Sequence, residues 1–442
     1  MESSAGNPAG LDLNPRIPGP VTLTSFPMNP IALSVTAAQE AAASTLRAPA
    51  RLVSLDAFRG LAMLLMASGL MQLPEVASHF PQSRVWQAIG FHWEHVLWRG
   101  CSLHDLIQPA FSFMVGVALP FSMAGRLARE SSPAAQWTHV LWRSLLLVLL
   151  GVALRSIGRP LTYWTFEDTL SQIGLGYPFL FAVALWGRRA PWIAVGLLLS
   201  AYWTAFAVYP LPGPDFEWGA VKGVAWFPGF QGHWNQNGNA AWAFDRWFLN
   251  LFPRESPFTG NGGGYSTLSF IPTLATMLLG LIAGRWLMDA PPNGAEVYHE
   301  PRPLRTVGQL VLAGVAALLL GWTLDRLGWC PSVKRIWTPS WTLFSGGWCF
   351  LAMAGFYLLA DVWGAKRILF PLTVVGMNSI AMYVLVESLS GFVRETLLTH
   401  FGKRPFLVLG EPFTPLLEGA AVILVFWLTM VWMHRRKLFL RI

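Results

Sequence analysis

The sequence predicts an all-α fold, a polytopic membrane helical bundle of about ten transmembrane helices with both termini cytoplasmic. Three observations point there. Hydrophobic residues make up 54% of the 442 and charged residues only 12%, about half the charged share of a soluble domain. Runs of mostly apolar residues, each near the roughly 20 needed to cross about 30 Å of hydrocarbon, recur ten times along the chain. Basic residues gather in every second connection between those runs.

Taken in order, residues 1–50 are poor in charge and rich in Pro, Ala, Ser and Thr. That composition predicts a disordered cytoplasmic tail. No basic stretch precedes an apolar core, so a signal peptide is not expected, and Met28 is an alternative start. The membrane domain, residues 51–442, begins at Arg51. Its apolar runs cover residues 54–73, 104–125, 138–157, 171–187 and 190–209, then 266–288, 305–324, 342–361, 369–388 and 415–433. Two outer loops are long, residues 74–103 and 210–265. The second contains WFPGFQGHWNQNGNAAWAFDRW and GNGGGYSTLSF, too rich in tryptophan for a solvated linker, and is expected to fold over the outer mouth of the bundle. No internal repeat is evident, which weakens a transporter reading built on inverted repeats.

The net charge of +8 would suggest nucleic acid as partner in a soluble protein. Here the positive-inside rule accounts for it, and no nucleic-acid partner is expected. The basic connections carry Arg47, Arg51 and Arg59, then Arg126 and Arg129, then Arg188 and Arg189. Arg285, Arg302 and Arg305 follow, then Lys366 and Arg367, and last Arg435, Arg436, Lys437 and Arg441. Three cysteines rule out a disulfide framework. Cys101 and Cys330 share the outer side, but isolated thiols are the simpler expectation.

Titratable groups at the edge of a bilayer are costly and mark sites, and residues 91–122, FHWEHVLWRGCSLHDLIQPAFSFMVGVALPFS, hold the densest set. Histidine accepts and releases protons near neutrality. An imidazole oriented by a carboxylate can take a proton from an amine or attack an acyl group itself. His95 and Asp105 are the candidate catalytic pair, although Asp105 also suits a helix N-terminus. His92, Glu94 and Trp98 are candidate substrate contacts. His92 and His95 with His79 or His104 match no standard zinc pattern, so no metal is expected.

Three further stretches bear polar groups. In RLVSLDAFRG, Asp56 and Arg59 stand at i and i+3 and can pair on one face. They form either an interfacial anchor or a polar inner mouth for an anionic ligand. In SQIGLGYPF, Gln172 is the residue expected to face a cavity, while the glycines suit close helix packing. In GMNSIAMYVLVE, Asn378, Ser379, Tyr383 and Glu387 recur at helical intervals, forming a polar stripe that suggests a cavity wall or interhelical hydrogen bonds.

Together and in this order, these motifs resemble those of the heparan-α-glucosaminide N-acetyltransferase family and its bacterial homologues. The resemblance is carried by RLVSLDAFRG, HVLWRGCSLHDLIQPAFSFMVG, SQIGLGYPF, GNAAWAFDRWFL and GMNSIAMYVLVE, and spans roughly residues 51–434. It implies transfer of acetyl from cytoplasmic acetyl-CoA, a co-substrate rather than a resident cofactor, to the amine of an amino sugar on the far side. The family's essential histidine falls at His95, with Trp98 and Gly100 completing H-x-x-W-x-G, and its aspartate at Asp105. Asp56, Arg59, Gln172, Asn378 and Ser379 are the candidate contacts for the coenzyme, and Asp245 is a candidate contact for the acceptor. The lysosomal member has an asparagine near the end of its first span, where this chain reads LLMASGLMQL and offers only Gln72. Membrane lipid is an expected partner, a homodimer is an admitted state, and loops shortened relative to the family's namesake point to a bacterial inner membrane. A multi-pass transporter or channel for a small polar solute is the rival reading.

Overall fold

The computed structural model describes residues 52–127, 132–213, 216, 224, 226–289 and 302–440. The N-terminal tail, Met28, Arg51 and Arg129 lie outside the described residues, as do parts of the second outer loop.

Every apolar run becomes a helix. In chain order these are α1 (Val53–Ala67), α4 (Ile107–Leu127), α5 (Pro133–Arg155), α6 (Thr169–Ala184), α7 (Ala190–Ala207), α9 (Phe270–Met288), α10 (Arg302–Arg326), α11 (Pro339–Tyr357), α12 (Phe370–Met377), α13 (Ser379–Phe401) and α14 (Thr414–Arg435). The first outer loop adds α2 (Leu73–Ser78) and α3 (Arg84–His92), and the second adds α8 (Ala240–Phe248). The described residues contain no β-strand, only one isolated bridge between Arg99 and Val333.

Among the described residues, eight helical segments are long and apolar enough to cross a bilayer. A ninth candidate is a broken span in which α12 and α13 meet at 80°. The remaining run, 171–187, forms α6, which is apolar but only 16 residues long. The chain is therefore an all-α polytopic bundle, with one short helix and one bent pair where sequence suggested uniform spans. The bend falls at Asn378, whose amide donates to the Leu438 carbonyl at 3.0 Å and accepts from the Leu440 N–H at 3.1 Å. A side chain that stitches a distant backbone segment replaces the ladder bonds lost at a helix break.

Helix α9 is the axis of the bundle: 83% of the apolar stretch within Thr267–Met288 is buried. A helix apolar all round belongs in the interior. Its sequence GLIAG, from Gly280 to Gly284, faces α4. A Cβ on Gly280 would fall inside the van der Waals envelope of the Phe113 carbonyl oxygen, and one on Gly116 inside that of Met277. The α1–α12 crossing repeats this, with Gly60 against Leu372 and Gly376 against Asp56. Hydrophobicity does not drive one helix onto another inside lipid, so close approach through small residues holds such pairs by dispersion.

Candidate active site

At the ends of α1, α4, α5 and α6 and beside the first half of α13, the helices splay around a polar cavity of about 380 Å³. His95, His104 and Lys334 line one side, Arg155, Glu167 and Glu387 another, and Tyr265 closes it from the second outer loop.

His95 lies on the segment between α3 and the 3-10 turn His104–Leu106 that opens α4. That turn carries Asp105, which is fully buried. Its Oδ2 accepts from the N–H of Val96 at 3.3 Å and from both the N–H and hydroxyl of Ser102 at 3.0 Å. Its Oδ1 lies 2.9 Å from His95 Nδ1 and 3.2 Å from Lys334 Nζ. Five donors on two oxygens let a carboxylate keep its charge away from water. A charged carboxylate has no proton to give, so Nδ1 is the donor and the Nε2 lone pair remains for chemistry. With Nδ1 turned inward and 41% of the side chain exposed, the Nε2 edge is the one presented to the cavity. Lys334 Nζ also lies 3.1 Å from Nδ1, a close approach rather than a bond, because the Nδ1 proton is committed to Asp105.

The surrounding backbone holds this geometry. Gly100, at a φ of 126°, turns the chain as only glycine does readily. Its N–H donates to the Ser332 carbonyl at 3.1 Å. Arg99 grips both Asp325 oxygens at 3.0 and 3.1 Å. Trp98 is buried, donates from Nε1 to the Trp234 carbonyl at 3.2 Å and packs beneath Gly264. It ties the histidine segment to the second outer loop rather than lining the cavity.

Of the residues singled out from sequence, His95 and Asp105 meet, and Tyr383 and Glu387 line the cavity. His92 accepts from the Leu103 N–H at 3.3 Å; it and Glu94 are exposed outside the cavity. Gln72 is exposed at a left-handed bend, also outside it. Gln172, expected to face a cavity, instead spends its buried amide on the carbonyls of Phe166, Ser266 and Thr267. Asn378 is taken up by the helix bend, and Ser379 starts α13 outside the cavity lining. Asp56 pairs with Arg59 at 3.8 Å near the start of α1, whereas Met66 near its end lines the cavity. All three cysteines are free, with Cys330 and Cys349 buried. Among the described residues no three metal-ligating side chains gather.

Sequence reasoning passed over Lys334, Arg155, Glu167 and Asp168. For Arg155 a signal existed, since it is a cation near the end of an apolar run that the basic alternation assigns to the outer side. Burial pushes the Glu167 and Asp168 carboxyls above the usual range, with the Arg155 charge opposing it. Asp168 also caps α6, accepting from the Leu170 and Ser171 N–H groups at 3.0 Å.

Asp245 stands apart. Its Oδ2 accepts from the Thr267 N–H at 2.9 Å, and its carboxyl borders a void too small for water, outside the main cavity. Burial raises it from 3.8 to about 7. The folded state then holds a proton that the unfolded chain releases, so the stability present below about pH 4 is lost as pH rises through about 7. The melting temperature of purified protein should fall across that window, and Asp245→Asn should flatten the fall; parallel curves for the two proteins would count against this.

These features define a polytopic helical membrane protein whose polar cavity is built around a histidine–carboxylate pair. The chain is a distant relative of heparan-α-glucosaminide N-acetyltransferases. It is 23% identical over 380 residues to the Homo sapiens protein of that name, covering 76% of this chain and 52% of the relative. Against the Mus musculus protein it is 23% identical over 393 residues, covering 77% and 54%. The chain thus spans about half the length of the curated relatives it matches. No family model matches it.

Proposed function

We propose that this protein is an integral membrane acyltransferase that moves acetyl from cytoplasmic acetyl-CoA to an amino-sugar or related glycan acceptor on the outer face. The observation that carries the reading is His95: an imidazole fixed through Nδ1 by a buried carboxylate, with Nε2 toward a polar cavity, in a distant relative of N-acetyltransferases. In direct transfer, the acceptor amine attacks the thioester carbonyl while Nε2 takes its proton. The C–S bond breaks, and the coenzyme leaves as thiolate to be protonated. In the covalent route Nε2 attacks first, giving an acetyl-imidazole and free thiol, and the amine then takes the acetyl group.

The basic connections support the orientation in this reading, with Arg188, Arg285 and Arg367 facing the cytoplasm and the cavity facing outward. Such a face attracts the coenzyme's phosphates, with Asp56 and Arg59 at the inner end of α1. The membrane is a bacterial inner membrane in this reading.

The test is acetyl transfer by detergent-purified protein from radiolabelled acetyl-CoA to a panel of amino sugars. No binding, hydrolysis or transfer would overturn the reading. Asp105→Asn should lower kcat by about 10²-fold or more, because it frees the imidazole to take the wrong tautomer. Unchanged kcat in that variant would remove Asp105 from the mechanism.

A further inference from the structure

We propose that Lys334 is a positioning residue that holds His95 ready for chemistry by acting through Asp105. The side chain is 5% exposed, and a buried ammonium costs several kcal/mol unless something compensates it. Its polar neighbours are Asp105 Oδ1 at 3.2 Å and His95 Nδ1 at 3.1 Å. Burial presses Lys334 below the usual lysine range, and Asp105 works against that.

Anchoring of its own turn does not explain the ammonium, because that turn is already secured. Ser332 and Gly100 share a backbone bond, and the Val333 N–H donates to the Thr338 hydroxyl at 3.0 Å. Asp325 accepts from Ser332 N–H at 2.7 Å while gripping Arg99, and Trp337 Nε1 reaches the Thr276 hydroxyl at 3.2 Å. What the ammonium adds is a fixed counter-ion for Asp105. The ammonium balances the carboxylate's charge, and Oδ1, shared between the two, holds the His95 Nδ1–H in place. His104, with its ring centre 5.0 Å from that of His95, offers no acceptor charge to compete.

The catalytic consequence rests on the acyl-transfer reading, so two readouts are needed. A double-mutant cycle in the full-length protein compares wild type, Lys334→Met, Asp105→Asn and the double variant, with Lys334→Arg as the conservative control. Lys334→Met should lower kcat by about 30- to 100-fold with KM for acetyl-CoA within about twofold, and Lys334→Arg should recover most of the loss. In the Asp105→Asn background, losing Lys334 should cost less than about threefold, because its route to His95 is already gone. Additive losses, or a loss confined to KM, would overturn the proposal. If Lys334→Met does not fold, the comparison of Asp105→Asn with the double variant decides alone: equal kcat supports the proposal and a further tenfold fall refutes it. The second readout is melting temperature, which should drop in Lys334→Met and recover in the double variant whether or not the protein transfers acetyl. That recovery without any turnover would sink the acyl-transfer reading while leaving the Lys334–Asp105 coupling intact, and failure to recover would sink the coupling.

Discussion

Replacing His95 with alanine is expected to leave a folded protein whose acetyl transfer is down by about 10³- to 10⁴-fold, the span over which a positioned base or nucleophile acts. The fold should survive because the side chain is 41% exposed and removes little packing. The Lys334–Asp105 pair also remains when the imidazole goes, so no buried charge is stranded. Size-exclusion profile and melting temperature check the first half of the expectation, and radiolabel transfer the second. If label accumulates on wild-type protein and not on His95→Ala, the acetyl-imidazole route is favoured. A transporter using the same cavity would keep passing solute in the variant. His92→Ala serves as the matched control, because that imidazole is exposed outside the cavity and should be replaceable with little effect on transfer.

The second large effect concerns the bundle itself. Gly280→Leu should abolish recovery of monodisperse protein, because α4 and α9 touch backbone to backbone there. The new side chain would meet the Phe113 carbonyl at once, and backbone cannot rotate aside as a flexible side chain can. Overpacking typically costs about 1–3 kcal/mol and more where nothing yields, out of a total stability of roughly 5–15. Gly196→Leu is the fitting comparison: it lies on α7 with nothing within 4 Å of an added Cβ. It should be tolerated, and fluorescence-detected size exclusion of the two variants side by side would show whether contact or helix position decides. Equal recovery of both would mean the α4–α9 crossing has room to spread.

The span positions were legible because lipid imposes a crude rule, one long apolar run per crossing. Nine of the ten runs hold a helix whose ends fall near the expected ones; the run 369–388 instead holds the bent pair α12 and α13, which continues to Phe401. The bend at Asn378 was not legible, since no proline or glycine pair marks it. Its cause is tertiary, a side chain bonded to Leu438 and Leu440. Gln172 misled for a related reason: a buried amide in an apolar helix signals unmet hydrogen bonds, and loop carbonyls of Phe166, Ser266 and Thr267 meet them as readily as a ligand would. In the candidate site, His95 and Asp105 could be paired because ten residues separate them, close enough for one motif to hold both. Lys334 could not be read the same way. Nothing local distinguishes it from any loop lysine, and its partner is far off along the chain.

That distance has a consequence for biosynthesis. His95 and Lys334 are 239 residues apart, and α11 (Pro339–Tyr357) secures the far side of the Lys334 turn. During translation the ribosome must therefore deliver most of the membrane domain before the histidine meets the ammonium. A nascent chain stalled after α9 would carry His95 and Asp105 without their counter-ion. Competence thus comes late and all at once, and chains released early by truncation should lack the assembled site even where their first helices insert correctly.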